Sequence, residues 1–240
     1  MIGSLKGAAL KALALQCGAP TSGTKAVLAA NLQDTINSYV AVPTDSTITS
    51  IDLGLKNIGV CQIRLGPEKP TIEKWYTRNL NDPKHAYPEF SHAAVEFIKQ
   101  LVAERPQAIL VERQRSRSVG SASVPQQILR VNVLEGMLFA ALEILGHRHL
   151  FSIEPKAVLG HWRAAYNLPA TKTYRESKLT RLGLVEKWLN DLESAPFVLG
   201  PDLTIPNVSK KDDLCDALVQ GLAWDVWRKN AYNLKNSLHV

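Results

Sequence analysis

The feature that most constrains the fold is the change of residue pattern that begins near position 47. From there, three segments rich in β-branched residues follow one another with only short turns between them, at 47–51, 58–65 and 71–78. Short consecutive strands favour an antiparallel meander, whereas strands separated by helices favour parallel pairing. This chain has both kinds of connection: short turns join the first three predicted strands, and predicted helices separate the later ones. The sequence therefore predicts an α/β domain with a mixed sheet.

The rest of the chain alternates between helical and strand-like patterns. Short apolar runs predict a fourth and a fifth strand at 107–111 and 149–153. Apolar residues at helical spacing predict helices at 88–104, 125–145, 155–166, 174–191 and 209–230. The expected main domain is thus a five-stranded mixed sheet flanked by helices, and it spans residues 47–240. We find no internal repeat.

The segment before the main domain has a different character. Residues 1–39 predict two short helices around a turn rich in Gly, Pro, Ser and Thr, and residues 40–46 predict a linker. Thr24 can cap the second helix, and the following Lys25 lies at a helix N-terminus suited to a phosphate group. The alternative is a helical hairpin that only packs on the main domain.

The composition limits the possible partners without choosing one. The 240 residues carry a formal net charge of +6, which favours a polyanion, either nucleic acid, a membrane surface or an acidic protein. No apolar run approaches the roughly 18–20 residues that a membrane span needs. The three cysteines, Cys17, Cys61 and Cys215, lack CxxC spacing. They predict neither a zinc site nor a disulfide framework, which indicates a reducing compartment.

Four carboxylates are spaced as a divalent-metal site requires. Asp52 and Glu112 each close an apolar strand, and Asp213 and Asp216 share one face at the start of the last helix. Close carboxylates repel one another, and two Mg²⁺ ions, or Mn²⁺ in their place, would compensate the charge. The set predicts metal-assisted phosphodiester hydrolysis. Asp212 is expected instead to form a capping box with Ser209.

Three motifs make a family resemblance specific. They are Ile51-Asp-Leu-Gly54, Leu110-Val-Glu112 and Asp213-Leu-Cys-Asp216. Together they resemble the acidic tetrad of the RuvC branch of the RNase H-like superfamily. The N-terminal helix–turn–helix resembles the SAP motif, a small DNA-binding module. With that segment and the basic run after Glu112, the whole chain resembles the fungal mitochondrial Holliday-junction resolvases.

The resemblance implies a mechanism and partners. By it, Asp52, Glu112, Asp213 and Asp216 are the catalytic metal ligands of an RNase H-like nuclease. The enzyme would act as a homodimer on four-way DNA junctions and resolve them by paired symmetric nicks. A mitochondrial location is implied as well, although no presequence is evident ahead of residue 4.

Basic residues near the predicted site are expected to contact DNA. The loop that follows Glu112 carries three arginines, which can bind phosphate in a bidentate manner; the alternative is a solvated loop. A second basic region is expected to line the DNA surface with some of its side chains, while others are only solvated. It contains Lys156, His161, Arg163, Lys172, Arg175, Lys178 and Arg181. The predicted DNA-binding residues are Lys25, Arg113, Gln114, Arg115, Arg117, Lys172, Arg175 and Lys178.

Several other residues have two possible roles. His161 is a packed or surface histidine, or a proton shuttle, and Asp225 is a solvated residue or an ion-pair partner. Three tryptophans recur at helical spacing among apolar residues and are expected in the core rather than under stacked bases. The apolar 125–145 helix is a dimer interface or a core helix. Its apolar face contains Ile128, Val131, Leu134, Leu138 and Leu142.

Other functions use parts of the same pattern. An RNase H-type nuclease or a strand transferase would need the same carboxylates. A non-catalytic DNA-binding scaffold would need only the basic surfaces, and the presence of all four acids argues against it. The sugar-kinase and actin type of ATPase shares the Asp-x-Gly hairpin, but this sequence shows no second glycine-rich phosphate loop.

Overall fold

A mixed β-sheet forms the centre of the protein. The structure is a computed structural model that describes residues 2–80, 87–114, 126–171, 173–206 and 211–238. Within these residues the sheet has six strands in the order β5-β4-β1-β2-β3-β6. The strands are β1 (Thr47–Asp52), β2 (Ile58–Arg64), β3 (Thr71–Arg78), β4 (Ala108–Glu112), β5 (Leu150–Ile153) and β6 (Val198–Leu199).

The strand directions confirm the predicted mixed sheet. β1, β2 and β3 form the antiparallel meander, while β4 pairs parallel to β1 and β5 pairs parallel to β4. The expected number of strands was wrong by one, because β6 adds a parallel edge strand beside β3. Val198–Leu199 has only two residues, too few to show the alternation by which strands are recognised in a sequence.

Helices cover both faces of the sheet. They are α1 (Gly7–Gln16), α2 (Lys25–Val40), α3 (Tyr87–Ala103), α4 (Gln126–Ile144), α5 (Pro155–Tyr166), α6 (Tyr174–Asn190) and α7 (Lys211–Leu238), preceded by a short 3₁₀ helix at Ile2–Ser4. All the predicted helices are present. α7 extends eight residues beyond the predicted end. In the part of the chain that the structure describes, no helix is both long enough and apolar enough to cross a bilayer.

Two hydrophobic clusters pack against the sheet. One joins the strands to α3 and α4, and in it Leu134, Leu138 and Leu142 of α4 are fully buried. The apolar face that the sequence offered as a dimer interface is therefore largely core, the second of the two interpretations. The other cluster surrounds α7 and contains the three tryptophans that the sequence assigned to the core: Trp188, Trp224 and Trp227.

The N-terminal helices share the α7 cluster. Leu28, Leu32 and Ile36 of α2 are buried there, and the Asn230 side-chain amide donates to the Gln16 carbonyl at 2.7 Å. The Thr24 hydroxyl accepts from the Val27 amide, as a helix cap does. Residues 2–39 thus pack on the main domain. The division into module and linker stays a prediction from sequence.

Candidate active site

The first two predicted site residues end neighbouring strands. β1 and β4 run parallel, and Ile51 pairs with Val111. Asp52 and Glu112 are the next residues in each strand, so their backbones lie side by side at one edge of the sheet. The carboxyl ends of parallel strands open onto such a crevice. Both residues are half-buried.

A glycine in β2 brings the other two acids to the same edge. Gly59 pairs with Asp52 across the β1–β2 ladder. A Cβ atom at Gly59 would collide with the Asp213 carbonyl oxygen and would lie 3.4 Å from the Ala217 Cβ. Because position 59 has no side chain, the first turn of α7 rests directly on β2. That contact places Asp213 and Asp216 beside the end of β1.

Three further contacts fix the position of α7 along the sheet. The Trp75 indole Nε1–H donates to the Leu214 carbonyl at 2.9 Å. The buried Gln220 side chain donates to the Ser50 hydroxyl at 3.0 Å. A Cβ atom at Gly221 would lie 3.1 Å from the Ser50 Cβ and would collide with the Ile63 side chain. Since these groups admit little sliding or rotation, the acids of α7 have a defined place.

The charges of the neighbouring acids shift the pKa of the Asp52 carboxyl. Burial raises the pKa of the Asp52 carboxyl well above its usual range, and the negative charges of Glu112, Asp216 and Asp213 raise it further. The Arg181 guanidinium acts in the opposite direction. Half-buried carboxylates from three elements thus surround one recess. An excess of negative charge with hard oxygen donors is the chemistry that divalent cations such as Mg²⁺ or Mn²⁺ fit.

Asp216, one of the four acids, forms an ion pair with an arginine. The Arg181 Nε and Nη2 groups of α6 donate to the two Asp216 carboxylate oxygens at 2.5 and 2.8 Å. One turn earlier, Lys178 pairs with Asp212. Among the described residues, no three His, Cys, Asp or Glu side chains stand in an arrangement that holds a metal ion.

A basic groove begins at Glu112. Its volume is about 740 Å³, and it runs between α4, α5 and α6. Lys156, Arg163 and Arg181 line it together with the hydroxyl-bearing Thr171, Thr173 and Ser177. Cations and hydroxyl groups are the side chains that bind phosphate oxygens. The groove therefore offers a polyanion a path to the acids.

Arg113 and Gln114 lie at the mouth of this groove. The Arg113 Nε group donates to the Ser152 hydroxyl at 3.2 Å, and its guanidinium is 3.7 Å from the Glu154 carboxylate. The Gln114 amide N–H donates to the Glu135 carboxylate of α4. More than half of the Arg113 side chain is exposed. It can still meet a ligand.

A second groove of about 630 Å³ adjoins the first. It lies between the N-terminal turn, including Thr21 and Ser22, and the β5–α5 segment. Arg113 and Lys156 line both grooves. Acidic Asp34 and Glu154 make the second groove less basic than the first. The N-terminal turn thus lies along the same surface as the acids.

The remaining predicted DNA contacts fall into two groups. Lys25 and Arg175 are exposed at the starts of α2 and α6, respectively, whereas Lys178 is in the ion pair with Asp212. Arg115, Arg117 and Lys172 lie outside the described residues, as does Ser209 of the predicted capping box. Asp212 forms an ion pair with Lys178 of α6, and the capping box stays a prediction.

His161 and Asp225 belong to the packing of α7. The His161 ring meets Trp162 and Trp227 edge-on, with ring centroids 4.7 and 5.8 Å apart, and burial lowers its pKa to about 4. The Asp225 carboxylate is 3.4 Å from Arg228 and 2.8 Å from Lys229. His161 is therefore a packed histidine and Asp225 an ion-pair partner, which are two of the roles that the sequence allowed.

Sequence reasoning missed the residues that hold the acids in place. Gly59, Trp75 and Gln220 were not singled out, and Arg181 was assigned only to the second basic region. A glycine inside a β-branched strand is a recognisable sign of close backbone approach. A glutamine in the apolar Ala217-Leu-Val-Gln-Gly221 run was a second available sign. Arg181 showed no such sign, because it lies among other basic residues of α6.

Comparisons with known proteins agree with this geometry. A family model described as mitochondrial resolvase Ydc2 / RNA splicing MRS1 matches residues 48–205. "Cruciform cutting endonuclease 1, mitochondrial" of Schizosaccharomyces pombe is 26% identical over 214 residues, which cover 80% of this chain and 82% of that protein. The protein of the same name from Saccharomyces cerevisiae is 24% identical over 252 residues, with 80% and 71% covered.

A solved structure shares the fold. The crystal structure of the yeast mitochondrial Holliday junction resolvase Ydc2 superposes with a TM-score of 0.71 at 24% sequence identity. The match covers 96% of this chain and 97% of that one. It confirms the RNase H-like fold expected from the sequence, and its coverage includes the N-terminal helices.

Proposed function

Because the chain belongs to the family of the mitochondrial resolvase Ydc2 and the RNA-splicing protein MRS1, we propose that it is an endonuclease that resolves four-way (Holliday) DNA junctions. The observation that carries the proposal is the meeting of Asp52, Glu112 and the first turn of α7 at one sheet edge, beside a basic groove. Both curated relatives are cruciform-cutting endonucleases by name. Both are also mitochondrial by name, which supports a mitochondrial location.

The four acids are proposed to hold two divalent cations, Mg²⁺ or in its place Mn²⁺. Such ions, when bound, supply a water-derived nucleophile at neutral pH and stabilise the leaving 3′-oxygen. The backbones of Asp52 and Glu112 are held at the ends of two adjacent parallel strands before any substrate arrives. Asp213 and Asp216 are fixed by the contacts of α7 with Gly59 and Trp75. Such preorganisation of a charged site lowers the barrier to reaction.

The basic groove is proposed to hold a junction arm. Lys156 and Arg163 line it near the acids, and exposed Lys25 and Arg175 extend the basic surface. Contacts to phosphate are independent of base sequence and orient the backbone. The part of the predicted set that lies outside the described residues, Arg115, Arg117 and Lys172, is proposed to contribute in the same way, and the N-terminal segment to act as a SAP-like DNA-binding module.

A homodimer is part of the proposal. A four-way junction is resolved by nicks in two opposed strands, and two protomers would each present one set of acids to one strand. Symmetric subunits meet symmetric substrates most simply through a two-fold axis. The buried face of α4 is not available for this contact, so another surface has to serve.

The test is cleavage of a synthetic four-way junction. The full chain is incubated in Mg²⁺ or in EDTA with the junction, a plain duplex of one arm and an RNA–DNA hybrid, and Asp52→Asn serves as the matched inactive variant. We expect paired symmetric nicks in the junction in Mg²⁺ only. Preferential cutting of the hybrid would favour an RNase H-type nuclease, and joining of strand ends would favour a strand transferase.

The family description supplies one non-catalytic alternative. It includes an RNA-splicing protein, so a structured RNA belongs in the same experiment as a binding target. Tight RNA binding without cleavage of any substrate would make this protein a nucleic-acid-binding scaffold. The four acids on one sheet edge favour catalysis over that alternative.

A further inference from the structure

The acidic site contains its own positive charge. Arg181 donates both of its aligned N–H groups to Asp216, and the side chains are only 11% and 12% exposed. Planar bidentate pairing of this kind fixes direction as well as charge. The Asp216 carboxylate on α7 is therefore held in a fixed direction by a side chain of α6.

The same guanidinium acts on more than one acid. It favours the ionised form of Asp52, against the combined effect of Glu112, Asp213 and Asp216. A half-buried set of like charges is costly unless something compensates it. Within the described part of the chain, Arg181 is a cation that lies among these acids. Arg181 also lines the basic groove that is the proposed path of DNA, as Glu112 does.

The helix that carries Arg181 is well anchored. α6 starts with a capping box, in which the Thr173 hydroxyl accepts from the Glu176 amide and the Glu176 carboxylate accepts from the Thr173 amide. Lys178 adds the pair with Asp212. An arginine on such a rigid support can fix a partner instead of following it.

We propose that Arg181 is the internal counter-ion of the acidic cluster: it positions Asp216 and exchanges that carboxylate for a divalent cation when the cation binds. The counter-ion role applies to the protein without a bound metal ion. The exchange rests on the proposed metal-dependent function. After the exchange, the guanidinium faces the groove, where a DNA phosphate is the partner of matching charge.

The first experiment is a double-mutant cycle on the full chain in EDTA. Arg181→Met, Asp216→Asn and the double variant are compared by thermal denaturation. Arg181→Met leaves a half-buried carboxylate uncompensated and should lower the Tm by about 6–10 °C. In the Asp216→Asn background the same change should cost less than half as much. Additive losses would mean that Arg181 contributes only packing, and the proposal would be overturned.

The matched control lies one turn away on the same helix. The Lys178–Asp212 pair has 39% and 22% exposed side chains, and exposed pairs contribute little to stability. The cycle of Lys178→Met and Asp212→Asn should show no coupling beyond error. Arg181→Lys keeps the charge without the fork and should lose less Tm than Arg181→Met. If Arg181→Met does not fold, the neutral Arg181→Gln with Asp216→Asn completes the same cycle.

The second experiment measures Mg²⁺ affinity by calorimetry without DNA. Since the cation no longer has to displace a guanidinium, Arg181→Met should bind Mg²⁺ at least ~5-fold more tightly than the parent chain. Equal or weaker binding would refute the exchange. If the parent chain binds no Mg²⁺ at all, the proposed metal chemistry and the exchange both fail, while the EDTA cycle still decides whether Arg181 is the counter-ion.

Discussion

Gly59 and Asp213 touch backbone to backbone, although they are 154 positions apart in the chain. The contact is possible because residue 59 has no side chain. β2, in which Gly59 pairs with Asp52, therefore packs directly against the first turn of α7. That turn carries the other two acids. The geometry of the site thus depends on a residue without functional groups.

Gly59→Ala should therefore damage the site more than the fold. The new methyl group has to push the first turn of α7 away, at a cost of about 1–3 kcal/mol in unfolding free energy. Displacing the acids should lower single-turnover junction cleavage by ~100-fold or more. Gly136→Ala is the control, because no atom lies within 4 Å of a Cβ built there. A Gly59→Ala enzyme that cuts like the parent would show that α7 can shift without consequence.

Asp52→Asn should separate stability from activity. The change removes a carboxylate whose pKa is raised by burial and by its acidic neighbours, so the metal-free protein should gain on the order of 1 kcal/mol in unfolding free energy. Cleavage should fall by at least ~10³-fold. Junction affinity should stay unchanged or rise, since it comes from lysine and arginine contacts to phosphate. Denaturation in EDTA, single-turnover cleavage and a binding assay measure the three quantities.

Asp212→Ala provides the comparison for that variant. It loses the pair with Lys178 and one charge at the α7 N-terminus, which together contribute about 1 kcal/mol or less. Its cleavage rate should stay within a few-fold of the parent. Loss of cleavage as large as that of Asp213→Asn, in a folded protein, would mean that Asp212 rather than Asp213 belongs to the site.

His161 should make stability fall in acid. Its pKa is about 4 in the folded protein because burial against Trp162 and Trp227 disfavours the charged ring, whereas an exposed histidine titrates near 6.5. Above pH ~6.5 neither state binds the proton. As the pH falls from there to about 4, the unfolded chain gains it first, which costs on the order of 2–3 kcal/mol. His161→Phe keeps the ring packing and should remove this part of the slope.

The measurement is urea denaturation at several pH values, and exposed His92→Gln is the control. It should keep the full acid dependence. The same slope in His161→Phe as in the parent would assign the acid sensitivity to the carboxylates instead.

The Lys25→Ala variant tests whether the N-terminal segment contacts DNA. Deleting residues 1–39 is a poor test, because it would uncover the tryptophans of α7 that α2 covers. Lys25→Ala should weaken junction binding and reduce the slope of log affinity against log salt by about one. Lys11→Ala, exposed on α1, should leave the slope unchanged. Equal slopes for all three proteins would make the N-terminal segment structural.

The sheet and most helices could be predicted because their patterns are local. β-branched alternation marked the meander, and apolar periodicity marked α3 to α7. The end of α7 was placed too early because residues 231–238 are mainly polar and carry little periodicity. β6 was missed because a two-residue strand has no period.

The acids could be predicted, but not what holds them. Asp52 and Glu112 stood out because they end apolar runs. Gln220 donates to Ser50 across 170 positions, and no local pattern encodes that contact. Arg181 and Lys178 are both basic residues of α6, and only the packing of α6 on α7 shows that each is paired with an acid rather than solvated.

The order of elements along the chain has a consequence for when cleavage becomes possible. Asp52 and Glu112 are synthesised early, whereas α7, with the other two acids, comes last and then fills the space between β2, β3 and the N-terminal helices. A ribosome-bound chain that lacks α7 has half of the carboxylates and an uncovered sheet face. If the four acids act as proposed, we expect no cleavage of nucleic acid before α7 has been synthesised, because that helix carries two of the acids and completes the described core.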